Sequence, residues 1–275
     1  MGKIIAICNQ KGGTGKTTTA INIAAYMGLF GKKTLLVDLD PQANATSGLG
    51  VDRHKIKKST YHVLLEEIKI AEIFLKTEIE NLYLAPSNLD LTGAEVELVG
   101  AIGREYRLKK ALLPEKDNFD FIFIDSPPSL GLLTINALCA ADSVLVPVQC
   151  EYYALEGLSQ LINTVNLIRD NINPQLKIEG IVLTLADFRT NLSREVIREV
   201  KENFKEKVYT TVIPRSIRLS EAPSYGKPIS LYDRTNLGAI KYEELTKEIL
   251  GEQFSAQISI DNKNINSQPQ IQLKQ

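Results

Sequence analysis

The sequence predicts an α/β fold, a doubly wound and mostly parallel sheet with helices on both faces, and three observations lead there. Strand-like and helix-like segments alternate from one end of the chain to the other, the order that builds βαβ units. Several strand segments are apolar at every position, such as Phe121-Ile122-Phe123-Ile124 and Val144-Leu145-Val146, which suits strands buried on both faces. The first strand breaks into a glycine-rich run that opens a helix, Gln10-Lys11-Gly12-Gly13-Thr14-Gly15-Lys16-Thr17-Thr18.

Taken in order, the first strand is Lys3-Ile4-Ile5-Ala6-Ile7-Cys8, β-branched and apolar, and a helix near 16–30 follows its glycines. Leu35-Leu36-Val37-Asp38 marks a strand near 34–38, and a helix is expected near 59–76. A strand near 82–85 and a helix near 103–112 lead into the apolar run at 120–125. Helix 130–141, strand 143–148, helix 154–171 and strand 178–184 continue the alternation. Helix 191–204, strand 208–213 and helix 236–250 complete it. No composition break divides residues 1–250, so they read as one domain. Residues 251–275 are rich in Asn, Gln and Ser and read as a disordered polar tail. There is no internal repeat.

Composition excludes several classes. With 44% hydrophobic residues among 275, the chain can bury a full core. Its 32 basic and 33 acidic residues balance, so contact with nucleic acid must come from a local patch. Cysteines at 8, 139 and 150 form no C-x-x-C and read as buried free thiols of a reducing cytosol. Two histidines, His54 and His62, stand without clustered ligands, which argues against zinc. No signal peptide, membrane span or myristoylation pattern is present, and a cytoplasmic protein is expected.

The glycine run carries the chemistry. Glycines let successive backbone N–H groups curl around a polyphosphate, Lys16 reaches its β- and γ-phosphates, and the Thr17 hydroxyl can ligate Mg²⁺. The strict pattern has a glycine five residues before Gly15, where Gln10 stands, and a second lysine, Lys11, lies inside the loop. This is the deviant Walker box, which makes the fold of P-loop NTPase type. Asp38 and Asp40 end the second strand, on one face by strand alternation, at the sheet's ligand-binding end. Asp125 ends an apolar strand in the Walker B manner, where a carboxylate holds Mg²⁺, usually through water.

Five segments, K-G-G-T-G-K-T-T, L-V-D-L-D-P-Q-A-N-A-T, I-D-S-P-P-S-L, V-P-V-Q-C-E-Y-Y-A-L-E-G and V-I-P-R-S-I-R-L-S-E-A-P-S-Y-G-K-P-I, together resemble ParA-family ATPases of the chromosomal Soj type. The resemblance covers residues 3 to 250. It implies that ATP drives two subunits into a sandwich homodimer. Lys11 would cross to the partner's phosphates, and Gly12 would stay small so that the backbones can approach. Gly13, Thr14, Gly15, Lys16, Thr17 and Thr18 would cradle ATP and Mg²⁺, although Thr14 stands where Val is commoner. Asp40 would position the attacking water and Asp125 would sit in the metal's outer shell. Pro214 and Arg215 would flank the adenine, and Glu151 falls in a region that reaches toward nucleotide across the dimer. The resemblance also implies stimulation by a ParB-like partner, sequence-independent DNA binding and association with the nucleoid.

Related loops occur in MinD, nitrogenase iron protein and ArsA. MinD-like proteins end in a basic amphipathic helix, whereas Lys241–Leu250 is mixed in charge, which disfavours a membrane partner. No cysteine pair suits an iron–sulfur cluster. Only nine residues precede Gln10, so an N-terminal helix-turn-helix is not expected. The basic excess lies between Arg189 and Lys227, nine basic residues against five acidic ones. Helix 191–204 reads as a solvated face with Glu195, Arg198, Glu202 and Lys205 spaced for ion pairs. Arg189 and Arg218 lie in loops, at positions the Soj-like family uses for DNA. Two functional classes remain: a DNA-dependent ATPase switch in segregation, and a metabolic P-loop enzyme acting on a small molecule. Absence of Gly-x-Ser-x-Gly, a histidine acid–base pair and ligand cysteines weighs against the second.

Overall fold

The computed structural model describes residues 2–66 and 68–251. Among them, eight strands form one sheet: β1 Lys3–Ile7, β2 Thr34–Asp38, β3 Leu75–Lys76, β4 Leu82–Ala85, β5 Phe121–Asp125, β6 Ser143–Gln149, β7 Lys177–Ala186 and β8 Val208–Pro214. Their order is β3-β4-β2-β5-β1-β6-β7-β8. All pairings are parallel except β3 with β4. Every strand the sequence predicts is present. The tail from residue 252 onward lies outside the described residues.

The helices are α1 Lys16–Leu29, α2 Asn44–Gly48, α3 Thr60–Leu65, α4 Leu91–Glu97, α5 Arg107–Leu112 and α6 Leu132–Ala140. Then come α7 Ala154–Asn171, α8 Asn191–Phe204, α9 Ile217–Glu221, α10 Ile229–Tyr232 and α11 Leu237–Leu250. The strands alternate their side chains between two cores. Ile4, Ala6 and Cys8 of the first strand segment join Ile122, Ile124 and residues from α3 to α8. Ile5, Ile7 and Phe123 join α1, α2 and α9 to α11 on the other face. Both faces are therefore covered, which is why the middles of the central strands are apolar and their polar residues stand at the ends.

β1 and β5 are adjacent, yet α1 packs on one face and α6 on the other. Helices leaving neighbouring strands in opposite directions open a crevice at the strands' carboxyl ends. The glycine loop, Asp38 and Asp125 all stand at that end.

The expected helix 59–76 breaks. It stops at Leu65, resumes as one 3₁₀ turn over Ile70–Ile73, and becomes β3. Ile70 and Ile73 reach the core at a spacing of three, and Leu75 and Lys76 pair with Leu84 and Tyr83 along the sheet's edge. The helix expected at 103–112 begins as a 3₁₀ turn and turns α-helical at Arg107. The predicted ion pairs along α8 do not close within 4 Å; Lys201 instead donates to the Thr210 carbonyl at 3.4 Å. On an exposed helix the entropy of fixing two long side chains roughly cancels the Coulomb gain.

Candidate nucleotide-binding site

The loop between β1 and α1 is fastened at both ends. Asn9 donates its side-chain amide to the Pro147 carbonyl at 2.6 Å and accepts the Lys11 N–H at 3.0 Å. At the other end the Thr184 hydroxyl donates to the Thr14 carbonyl at 2.8 Å. Gly13 and Gly15 adopt left-handed φ values of 73° and 81°, a conformation that only glycine adopts cheaply. Gly15 thereby turns the chain straight into α1, whose first N–H groups receive no side-chain cap. A side chain at Gly12 would meet nothing within 4 Å.

Lys16 is buried to 6% exposure and donates its ammonium to the Lys11 carbonyl at 3.0 Å. Burial lowers its pKa, and the charges of Asp125, Cys8 and Asp40 hold it back up. The lysine is thus a desolvated cation at the start of α1, a counter-charge that a polyanion could meet with little competing water. Lys11 lies on the rim, half exposed, its ammonium 3.2 Å from Glu151. Glu151 also accepts from Gln149 and stands 3.8 Å from the Arg215 guanidinium. Arg215 is fixed through its backbone N–H to the Ala186 carbonyl at 3.0 Å, just after Pro214. Lys11, Glu151 and Arg215 therefore share one side of the site.

The two aspartates at the end of β2, Asp38 in its last position and Asp40 just beyond, divide their work. Asp38 is fully buried and spends both oxygens inside the chain: one accepts the Thr46 N–H and hydroxyl, each at 2.7 Å, the other the Asp40 N–H at 3.2 Å. Burial pushes its pKa up to about 6 against those hydrogen bonds. It positions α2 and the following loop, and Thr60 adds a bond to its carbonyl at 3.0 Å. Asp40 uses one carboxylate oxygen for the Gln42 N–H at 2.9 Å, and Ser87 holds its carbonyl at 2.8 Å. Its second oxygen takes no hydrogen bond from the described residues.

Asp125 is the anomaly. It is fully buried, in register beside Ile7 and Asp38, and neither carboxylate oxygen has a hydrogen-bond partner. Burial, then the charge of Asp38, holds its pKa well above the usual carboxylate range; the Thr17 hydroxyl and Lys16 pull the other way. A buried unpaired carboxylate facing a threonine hydroxyl suits a divalent cation. Among the described residues no three His, Cys, Asp or Glu side chains group closely enough to cage a metal. That fits Mg²⁺, which keeps much of its water and leans on phosphate oxygens.

Residues 2–178 match the model of a family described as an AAA domain. Over 249 residues the chain is 58% identical to the sporulation initiation inhibitor protein Soj of Bacillus subtilis, spanning 90% of this chain and 98% of that one. It is 54% identical over 250 residues to the chromosome partitioning protein ParA of Myxococcus xanthus, 91% of this chain and 88% of that one. The chain belongs to the ParA/Soj family of ATPases. This ParA/Soj protein also shares its fold with a crystal structure of cobyrinic acid a,c-diamide synthase from Mycobacterium smegmatis with bound ADP and magnesium. The TM-score is 0.81 at 39% identity, covering 93% of this chain and 97% of that one.

In this ParA/Soj chain the two arginines expected to meet DNA stand apart from the loop, and neither is free. Arg189 is exposed and clamps Asp187 through Nε and Nη2 at 2.8 and 2.7 Å. Arg218, expected in a loop, lies in the short helix α9, bonds Glu221 one turn on at 2.9 Å and lies 3.6 Å from Asp233. A groove of about 800 Å³ between β8 and α11 holds none of the candidate residues. The described cysteines are buried free thiols, as expected, with Cys8 pushed up to about 12 by burial beneath the loop. No described helix is long and apolar enough to cross a membrane. Sequence reasoning missed Asn9, Ser87 and Thr184, the polar residues that hold the site's backbone. Their only signal was a polar residue at or just after an apolar strand.

Proposed function

We propose that this ParA/Soj ATPase is a nucleotide-driven switch for chromosome or plasmid segregation, and that Gly12–Thr18, Asp40 and Asp125 form its hydrolytic site. The single observation that carries the site is Asp125, a buried carboxylate without partners, next to Thr17 and Lys16. Mg²⁺, held through Thr17 and through water by Asp125 and Asp40, would neutralise charge on the phosphates. Lys16 neutralises the β- and γ-phosphates from a desolvated position. Asp40, with one oxygen unused, orients and accepts a proton from the attacking water. Pro214 and Arg215 flank the adenine.

Lys11 acts in trans. In one chain it rests on Glu151 at the rim, and in an ATP dimer it would leave that partner for the second subunit's phosphates. The open space at Gly12 supports this reading, since nothing within the chain requires glycine there. Dimerisation then reads the γ-phosphate, and hydrolysis undoes it. A ParB-like partner stimulates turnover, and the dimer binds non-specific DNA through Arg189 and Arg218, which keeps the protein on the nucleoid.

Asp40→Ala is the test. It removes a transition-state group without touching the phosphate cradle, so ATP binding survives while hydrolysis falls by about a hundredfold or more. Sedimentation with ATP should find this variant dimeric. A monomeric variant that hydrolyses ATP at the normal rate overturns the role of Asp40. A second reading, ATP-driven synthesis on a small molecule, draws on the likeness to the diamide synthase structure. The higher identity to a chromosome partitioning protein favours the switch. ATP-dependent retention on random-sequence DNA separates them.

A further inference from the structure

β7 ends in an irregular joint directly behind the phosphate loop. Thr184, 1% exposed, makes two bonds at once: its carbonyl accepts the Cys150 N–H at 3.1 Å and its hydroxyl donates to the Thr14 carbonyl at 2.8 Å. Leu185 then adopts a left-handed φ of 52°, one of three non-glycine residues to do so among those described. Ala186 follows, and its carbonyl receives the Arg215 N–H. The β7–β8 register shifts between Leu183 and Ala186, at the same place. A branched side chain with positive φ is strained, and such strain persists only where surrounding bonds over-determine it. Here the bonds on either side fix it: Thr184 to Thr14 and Cys150, Ala186 to Arg215.

The bond to Thr14 has a directional consequence. A trans peptide points its carbonyl and the next N–H in opposite directions. With the Thr14 carbonyl drawn toward β7, the Gly15 N–H points away from it, alongside the free N–H groups of Lys16 and Thr17 in the first turn of α1. Gly15 itself resists nothing, because glycine populates both hands of φ about equally. Without an anchor the Thr14–Gly15 peptide is free to turn and set a carbonyl oxygen, rather than an N–H, against an anion. Thr184 contacts the loop from behind, and a Cβ built on Gly15 would lie 3.8 Å from it.

We propose that Thr184 is a positioning residue of the ATPase, its hydroxyl held by the Leu185 joint so that the Gly15 N–H faces the nucleotide phosphates. The inference rests on the reading that the Gly12–Thr18 loop holds those phosphates. It gives the end of β7 a role in nucleotide binding that the motifs in the sequence do not contain. The joint also ties the loop to the chain segments that carry Glu151 and Arg215.

The experiment compares Thr184→Ser, which keeps the hydroxyl, with Thr184→Ala, which removes it, by titration of Mg-ATP and by steady-state kinetics. Loss of one donor aimed at a charged group weakens binding by about tenfold. Thr184→Ala should therefore raise the Kd and KM for ATP by about that factor with kcat little changed, because ground state and transition state lose the same contact. Thr184→Ser should restore wild-type values. Thermal melting without nucleotide, run on both variants, identifies loss of fold. Thr184→Val is the third variant; it has no hydroxyl and should bind like Thr184→Ala. Lys16→Ala runs beside them as the control on the loop itself. If Lys16→Ala binds ATP normally, the loop does not hold the phosphates and the proposal goes with that reading. If Lys16→Ala loses ATP while Thr184→Ala binds like wild type, the loop reading stands and Thr184 has no positioning role. A Thr184→Ser variant as weak as Thr184→Ala also overturns it. A fall in kcat at unchanged KM points to a smaller folded fraction and overturns it too.

Discussion

Asp125 destabilises the fold that contains it. A carboxylate buried without a hydrogen bond is costly, and its raised pKa means that the folded chain favours the protonated form. The sign follows: with the folded pKa above the ordinary value, the favourable contribution is present at low pH and is lost as pH rises through the folded pKa. Asp38, shifted to about 6, acts in the same direction in the same core. Asp125→Asn should therefore melt higher than wild type in nucleotide-free protein with Mg²⁺ chelated. The gap should widen as pH rises above the ordinary carboxylate value of about 4 and on through the raised folded pKa. Mg²⁺-dependent hydrolysis should be lost at the same time, the usual exchange between a strained site and stability. A melting difference that shrinks as pH rises would contradict the assignment. At this scale the position of the candidate carboxylates at the carboxyl ends of β2 and β5 was legible, since a charge at the end of an all-apolar strand has few other reasons to be there. That Asp38 spends both oxygens on its own chain while Asp40 keeps one unused was not legible. Strand alternation puts them on one face and says nothing of their partners.

Elements were legible where burial on both faces leaves no choice of residue. The central strands β2, β5, β1 and β6 read as largely apolar runs, β7 and β8 mix in polar residues, and β3 is two residues on the sheet's edge. The 59–76 segment misled because its apolar spacing also suits a 3₁₀ turn and an edge strand, and tertiary pairing with β4 decided between them. The contacts that set element spacing were equally hidden. Gly28 in α1 is one: a Cβ there would come within 2.9 Å of the Ile79 side chain and 3.3 Å of Leu82. Gly28→Val should destabilise the protein by about 1–3 kcal/mol through overpacking between α1 and β4. Gly12→Val, with open space around it, should leave unfolding unchanged while abolishing ATP-dependent association. Denaturant unfolding of both variants checks the first part and sedimentation with ATP the second. Equal destabilisation by the two changes would show that the loop glycine also packs within its own chain.

At the scale of the whole molecule, charge balance leaves the proposed DNA contact to a small number of side chains, and the two candidates, Arg189 and Arg218, each have a carboxylate partner. Arg189 with Asp187, and Arg218 with Glu221 and Asp233, are exposed pairs, so each is held by little net energy and can exchange its carboxylate for a phosphate. The exchange is nonetheless a handicap for one chain making few contacts. A dimer doubles the contacts on one particle, so that the second becomes effectively intramolecular and avidity rises. Binding to random-sequence DNA should therefore need ATP and fall steeply with salt, the log–log slope flattening by roughly 0.9 for each phosphate contact removed. Arg218→Glu should release DNA at moderate salt and leave ATP binding and dimerisation intact, since its partners Glu221 and Asp233 lie in α9 and just after α10 rather than at the phosphate loop. Glu221→Gln makes the opposite change, weakening the hold on Arg218, and should strengthen DNA retention slightly. Retention measured across a salt series, with ATP and with ADP, distinguishes the cases. Equal binding in both nucleotide states would detach DNA contact from the switch, and a slope unmoved by Arg218→Glu would place the contact on other residues.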